Sequence, residues 1–196
     1  MIKYIVKLLI CALVLPIAIT GCSTTQRDRV YSLNSVANER QPGSMAFDRN
    51  VVVQVVEIPD AIDRSELVIL TGPNQLEILD GEIWAEPIKS GIIRVLRQNL
   101  QASLPNALVS NDIVSDGKKL IRVQIWIDDM SVRADGDIRL NATWFVQGND
   151  PDLPKNGTLS LKRNHKIGLD TQAIVSTWSD EFLALSQEIV KTNLGQ

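Results

Sequence analysis

The chain is poor in the residues that most often carry chemistry. It holds two cysteines, Cys11 and Cys22, and a single histidine, His165. Both thiols lie at the amino-terminal end, which excludes a disulfide framework or a cysteine metal site in the body of the chain. A Ser-His-Asp mechanism would have to use His165. That residue sits in the basic string Lys162-Arg163-Asn164-His165-Lys166 with no G-x-S-x-G motif elsewhere, and it reads as an exposed strand-end residue. No glycine-rich phosphate loop is present. There is no long Lys/Arg block, and the formal charge is −3, a poor basis for nucleic-acid binding. Carboxylates occur at Asp128-Asp129, Asp135-Gly136-Asp137 and Asp150-Pro151-Asp152, but none has the ligand spacing and late Glu of a calcium loop, and turn chemistry explains them. Nothing selects a carboxylate pair for glycoside hydrolysis. The expectation is a non-enzyme without cofactor or metal.

A membrane-spanning run is also missing. Leu8 to Ile19 is apolar, about a dozen residues where a spanning helix needs about 20, and Pro16 interrupts it. Lys3 and Lys7 precede it and small residues follow, the layout of a secretory signal peptide. The segment Ile19-Thr20-Gly21-Cys22 is similar to the bacterial lipobox. That similarity implies a diacylglycerol on the Cys22 thiol, cleavage before Cys22, and a further acyl chain such as palmitate on the new amino terminus. Two or more acyl chains hold a protein firmly at a membrane where one does not. Ser23 in place of Asp resembles the outer-membrane class, so the expected location is the periplasmic face of the outer membrane; retention at the inner membrane is the alternative. A short anchor that is never cleaved is the competing reading of residues 1–21.

Removing 21 residues from 196 leaves 175, enough for one domain with a sizeable core. Loss of Lys3 and Lys7 takes the charge from −3 to −5. The expected organisation is a signal peptide over 1–21, a lipidated tether over 22–30 and a periplasmic domain over 31–196. Val51 to Val56 is β-branched on both faces and reads as a covered central strand. "ELVIL" and "LEIL" flank Thr71-Gly72-Pro73-Asn74 as two strands around a turn. Pro87 opens a helix whose stripe is Ile88, Ile92, Val95, Leu96, Leu100 and Leu104, and Pro105 stops it. Gly91 within it suggests close approach to a strand. Ile121, Val123, Ile125 and Ile127 alternate with Arg122, Gln124, Trp126 and Asp128. The apolar parity then moves to Met130 and Val132, which predicts a bulge near Asp128-Asp129. After the Asp135-Gly136 turn, Ile138, Leu140, Ala142, Trp144 and Val146 face inward. Leu159 and Leu161 mark a strand that starts after an Asn156-Gly157 turn. Asp170 caps a last helix with Ile174, Val175, Trp178, Phe182, Leu185 and Ile189 buried. The fold class is α+β: a single domain with a mixed or antiparallel sheet and two main helices packed on one face.

Trp144 and Trp178 lie on core faces. Trp126 shares a face with polar residues and Trp84 precedes the first helix. Both are candidates for a partner interface, a role tryptophan favours, with core packing the competing role. Glu86 and Arg94 are a candidate structural pair.

"VEIPDAIDRSELVI" (residues 56–69) and "EIWAEPIKSGIIRVLRQNL" (residues 82–100), with "YSL" at 31–33, resemble the PqiC/YmbA-type lipoproteins, the ABC-type transport auxiliary lipoprotein component family. Trp84-Ala85-Glu86-Pro87 with its helix is the most specific part. The resemblance implies a non-enzymatic outer-membrane piece of an intermembrane lipid transport system that supports envelope integrity. Its implied partners are a PqiB-like MCE protein and a PqiA-like inner-membrane protein, with a homo-oligomeric ring as a further implication. The alternative is a stand-alone periplasmic lipoprotein that holds a lipid or peptide itself; a third reading, a hydrolase, would need His165 or a carboxylate pair in a cleft.

Overall fold

Alternating burial organises the larger sheet. In the computed structural model, which describes residues 27–36, 49–113, 117–148, 155–164 and 170–194, strand β6 (Lys119–Val132) buries Ile121, Val123, Ile125 and Ile127 on one face. The ladder to β7 (Asp137–Gly148) shifts register between Ile127 and Asp129, and Met130 and Val132 return to the core face beyond it. One extra residue in a strand is what lets the apolar parity change without turning the core outward. Gly136, at φ 83°, closes the β6–β7 turn in the left-handed region. On β7 the buried residues are Ile138, Leu140, Ala142, Trp144 and Val146, as the alternation requires.

β8 (Lys155–Asn164) pairs antiparallel with β7. Asn156-Gly157 is not a turn before this strand but part of it. Gly157 stands opposite Trp144, and a Cβ there would lie 2.1 Å from the indole Cζ2. The glycine is present because the indole needs its space, which a turn-dipeptide reading cannot anticipate. On the other side of β6 lie β2 (Arg49–Glu57) and the two-residue β5 (Val109–Ser110), both parallel to their neighbours, giving the order β5-β2-β6-β7-β8. Val51, Val52 and Val53 are buried on both faces of β2, but Val56 is exposed near its end.

The hairpin of β3 (Glu66–Gly72) and β4 (Gln75–Trp84) turns where expected. It does not join the main sheet as the expected single sheet would require. With β1 (Arg29–Tyr31), parallel to β4, it forms a second sheet of order β1-β4-β3. The two sheets touch through one bridge, Leu70 to Arg133, and the Ala134 N–H donates to the Leu70 carbonyl at 2.9 Å. The physical reason is the edge they share. β2 leaves the β6 ladder near Trp126, and β3 meets the same edge only after the bulge.

Helix α1 (Ile88–Ser103) packs on β2 and β5, helix α2 (Thr171–Ile189) on β7 and β8, and the two helices on each other. Pro87 is the residue before the first helical turn rather than within it, and Leu104 follows the last. Asp170 caps α2 by accepting from the Gln172 N–H at 3.1 Å. All six stripe residues predicted for α2 are buried. A π-helical turn, Val190–Leu194, ends the described chain and brings Asn193 to the Trp144 indole N–H, which donates to its Oδ1 at 2.7 Å. Gly91 is buried, and a Cβ there would first meet the Glu86 side chain, 3.5 Å from Oε1.

Candidate partner-binding surface

The inward residues of the five-stranded sheet are covered by the helices, so the opposite face is the one left half-exposed. β6 presents Arg122, Gln124 and Trp126 there, and β7 presents Asn141, Thr143 and Phe145. The register sets Trp126 opposite Thr143 and Gln124 opposite Phe145. Trp126 and Phe145 are therefore diagonal neighbours on one face, a spacing within reach of aromatic side chains. Thr143 donates to the Asp128 carboxylate at 2.8 Å, which holds the polar border of this pair. Beyond Gln124, Arg122 lies opposite Gln147 and lines an open cavity of about 240 Å³. Its Nε is buried without a hydrogen-bond partner. A half-buried tryptophan and phenylalanine within a polar and cationic surround have the composition of an interface centre rather than of a catalytic cleft.

Trp84 lies elsewhere. It ends β4, donates its backbone N–H to the Ser65 carbonyl at 2.7 Å, and stacks on Trp178 of α2 with ring centroids 6.0 Å apart and 39° between planes. It is half-buried against the core. The structure thus does not bring the two candidate tryptophans together. The Glu86–Arg94 pair forms at 2.5 Å, and Arg94 also donates to Ser32 Oγ at 3.0 Å and to the Leu33 carbonyl at 2.8 Å. This arginine ties the amino-terminal segment to α1. Arg64 pairs with Glu66 at 3.1 Å.

Asp137 is buried at the start of β7, with Arg139 at 3.0 Å and Lys162 at 3.4 Å. Burial pushes its carboxyl up, but the two cations outweigh burial and hold it below the usual carboxylate range. Asp135 accepts from the Asp137 N–H at 3.2 Å, ordinary turn chemistry. Cys22, His165 and Asp150-Pro151-Asp152 lie outside the described residues, and so does the signal segment. Among the described residues, no three His, Cys, Asp or Glu converge as metal ligands, and no helix is long and apolar enough to cross a membrane. An open groove of about 440 Å³ runs between residues 30–36 and α2. Ser32, Asn34, Gln172, Ser176 and Ser179 make its lining largely polar, unlike the apolar pockets that enclose ligands.

The residue that sequence reasoning missed is Phe145. Its parity was available, because Trp144 and Val146 point inward and the residue between them must point outward.

The model of the ABC-type transport auxiliary lipoprotein component family matches residues 31–190. Two curated relatives, each called intermembrane transport lipoprotein PqiC, come from Escherichia coli strain K12 and Shigella flexneri. Each is 24% identical over 181 residues, covering 87% of this chain and 91% of the relative. Among solved structures, an uncharacterized protein superposes with a TM-score of 0.63 at 20% identity, over 84% of this chain and 99% of its own. A Xanthomonas campestris protein gives 0.65 at 12% identity, over 83% and 92%. These two likenesses show the fold.

Proposed function

The chain belongs to the ABC-type transport auxiliary lipoprotein component family, and from that premise we propose that it is the lipid-anchored, non-catalytic docking piece of an MCE-type intermembrane lipid transport system. Cys22 is the lipidated residue and the outer membrane, on its periplasmic face, is the site of attachment. A PqiB-like MCE protein is the direct partner, and a PqiA-like inner-membrane protein completes the set that supports envelope integrity. Several copies arrange as a ring around the MCE assembly.

The observation that carries this reading is the outer sheet face. Trp126 and Phe145 stay half-exposed at its centre although the fold buries comparable side chains elsewhere. Trp126 is the anchor of the proposed interface; Trp84, in the other sheet, packs against Trp178 of α2 and takes the core role instead. Half-buried aromatics ringed by polar groups are the usual energetic centre of protein contacts.

The test is mild detergent extraction of the tagged, lipidated chain, followed by mass spectrometry of what accompanies it. Stoichiometric recovery of an MCE protein with the native chain, lost with Trp126→Ala, is the expected result. Recovery of the chain alone at every salt concentration would move the function to independent lipid or peptide binding, and a search for bound lipid would come next.

A further inference from the structure

We propose that the tip of the β3–β4 hairpin rests in the interfacial layer of the anchoring membrane, with Leu76 and Ile78 as its apolar contacts. The proposal rests on the reading of Cys22 as the lipid anchor.

The direction of the tether is set by β1. This strand runs parallel to β4, with Val30 opposite Ile83. A residue before β1 therefore lies beside a residue earlier in β4. The described chain does this: a Cβ on Gly81 would meet Asp28 Oδ1 at 3.6 Å and the Arg27 carbonyl at 3.9 Å. Going backward from Val30, the chain heads toward the hairpin tip. β4 pairs with β3 at both ends, Ile83 with Glu66 and Gln75 with Gly72, so β3 measures the distance between these levels across the register shifts at Glu66/Val68 and Leu70/Gly72.

The lengths then decide the outcome. Ile83 pairs with Glu66, and Gly72 with Gln75, so the tip lies six residues of β3 from the level of Val30, about 20 Å. Eight residues separate Val30 from Cys22. Fully extended they span at most about 26–29 Å. Full extension clears the tip by only about 6–9 Å, close to the thickness of one headgroup layer. A domain held this way meets the bilayer with the hairpin tip first.

The tip has the surface for that contact. Leu76 is 50% exposed and Ile78 43% exposed. They face the same way as their partners Leu70 and Val68, while Glu77 alternates to the other face. No charged residue occurs from Leu67 to Leu76. Exposed apolar side chains on an uncharged turn are a liability in water and an asset at a lipid interface.

The test uses the full chain, processed and lipidated, in vesicles of phosphatidylethanolamine and phosphatidylglycerol. The mature chain has no thiol besides Cys22, so Ile78→Cys and Gln147→Cys each accept one environment-sensitive dye. Gln147 is the control because β3 runs parallel to β6 at the Leu70–Arg133 bridge, and Gln147 stands opposite Arg122, eleven residues of β6 away, roughly 36 Å. The dye at 78 is expected to shift to the blue and lose most of its emission to a headgroup spin-labelled lipid, while the dye at 147 does neither. Equal or absent quenching at both positions overturns the proposal. A blue shift at 78 that follows protein concentration and ignores the spin label also overturns it, and assigns the patch to a second copy. Flotation and intact mass are read on the same samples. A chain that floats with lipid on Cys22 but shows no quenching at 78 overturns the hairpin contact alone. A chain without lipid on Cys22 overturns the anchor reading and this inference with it.

Discussion

Gly157→Ala tests the cross-strand packing of β8 on the Trp144 indole. In a strand, replacing glycine by alanine stabilises by about 0.4–1 kcal/mol when space allows, through the entropy of the unfolded chain. Space is refused here. The new methyl carbon would lie 2.1 Å from Trp144 Cζ2 and 2.5 Å from Cε2. That indole is 1% exposed and cannot swing away without breaking its 2.7 Å bond to Asn193. Overpacking of this kind costs about 1–3 kcal/mol, and the strained hydrogen bond adds about 1 kcal/mol. After the entropic gain, the net expectation is a loss of about 2–3 kcal/mol. The assay is urea unfolding followed by tryptophan fluorescence. Trp144→Phe makes room and should recover part of the loss, so the double variant costs less than the sum of the single ones. A Gly157→Ala protein as stable as the native chain, with an unchanged indole environment, would refute the reasoning.

Three further outcomes follow from the same geometry. Arg94→Ala removes the bonds to Glu86, Ser32 and the Leu33 carbonyl; it should cost about 2 kcal/mol and raise amide hydrogen exchange around Leu33 and Asn34 before the sheet is affected. The Asp137 carboxyl is held below its usual range, so it contributes stability above its unfolded pKa, and this is lost as pH falls through the lower folded value. Asp137→Asn should therefore flatten the pH dependence of unfolding below about pH 4, read by circular dichroism. Trp126→Ala, on the outer face, should change stability by less than Trp144→Ala does, with losses of about 1 kcal/mol against about 3–5 kcal/mol in thermal unfolding.

The elements with strong periodicity were readable before the structure. β6 and β7 alternate cleanly over long runs, and the parity change from Ile127 to Met130 located the bulge. The stripe of α2 and its Asp170 cap followed from spacing and capping chemistry alone. What was hidden depends on contacts between distant residues. The division into two sheets turns on which edge β3 meets, and local alternation holds no information about that. Gly157 was misread because Asn-Gly is a turn signal by itself and a packing device only when a tryptophan lies across the ladder. The crowding at Gly91 was hidden for a similar reason, since the Glu86 side chain beside it is held by Arg94. The surface was half legible: Trp126 stood out among polar residues, whereas Phe145 was hidden by its apolar neighbours, and only the pairing of β6 with β7 sets the two on one diagonal.

The function proposed above requires that the outer sheet face dock a ring-forming MCE-type partner. The most direct measurement places a photo-crosslinking amino acid at Trp126 in cells and identifies what it captures, with Lys89 on α1 as the control site. A crosslink from position 126 to an MCE protein, and none from position 89, is the expected result. Capture of no MCE protein from 126, or equal capture from both positions, would contradict it.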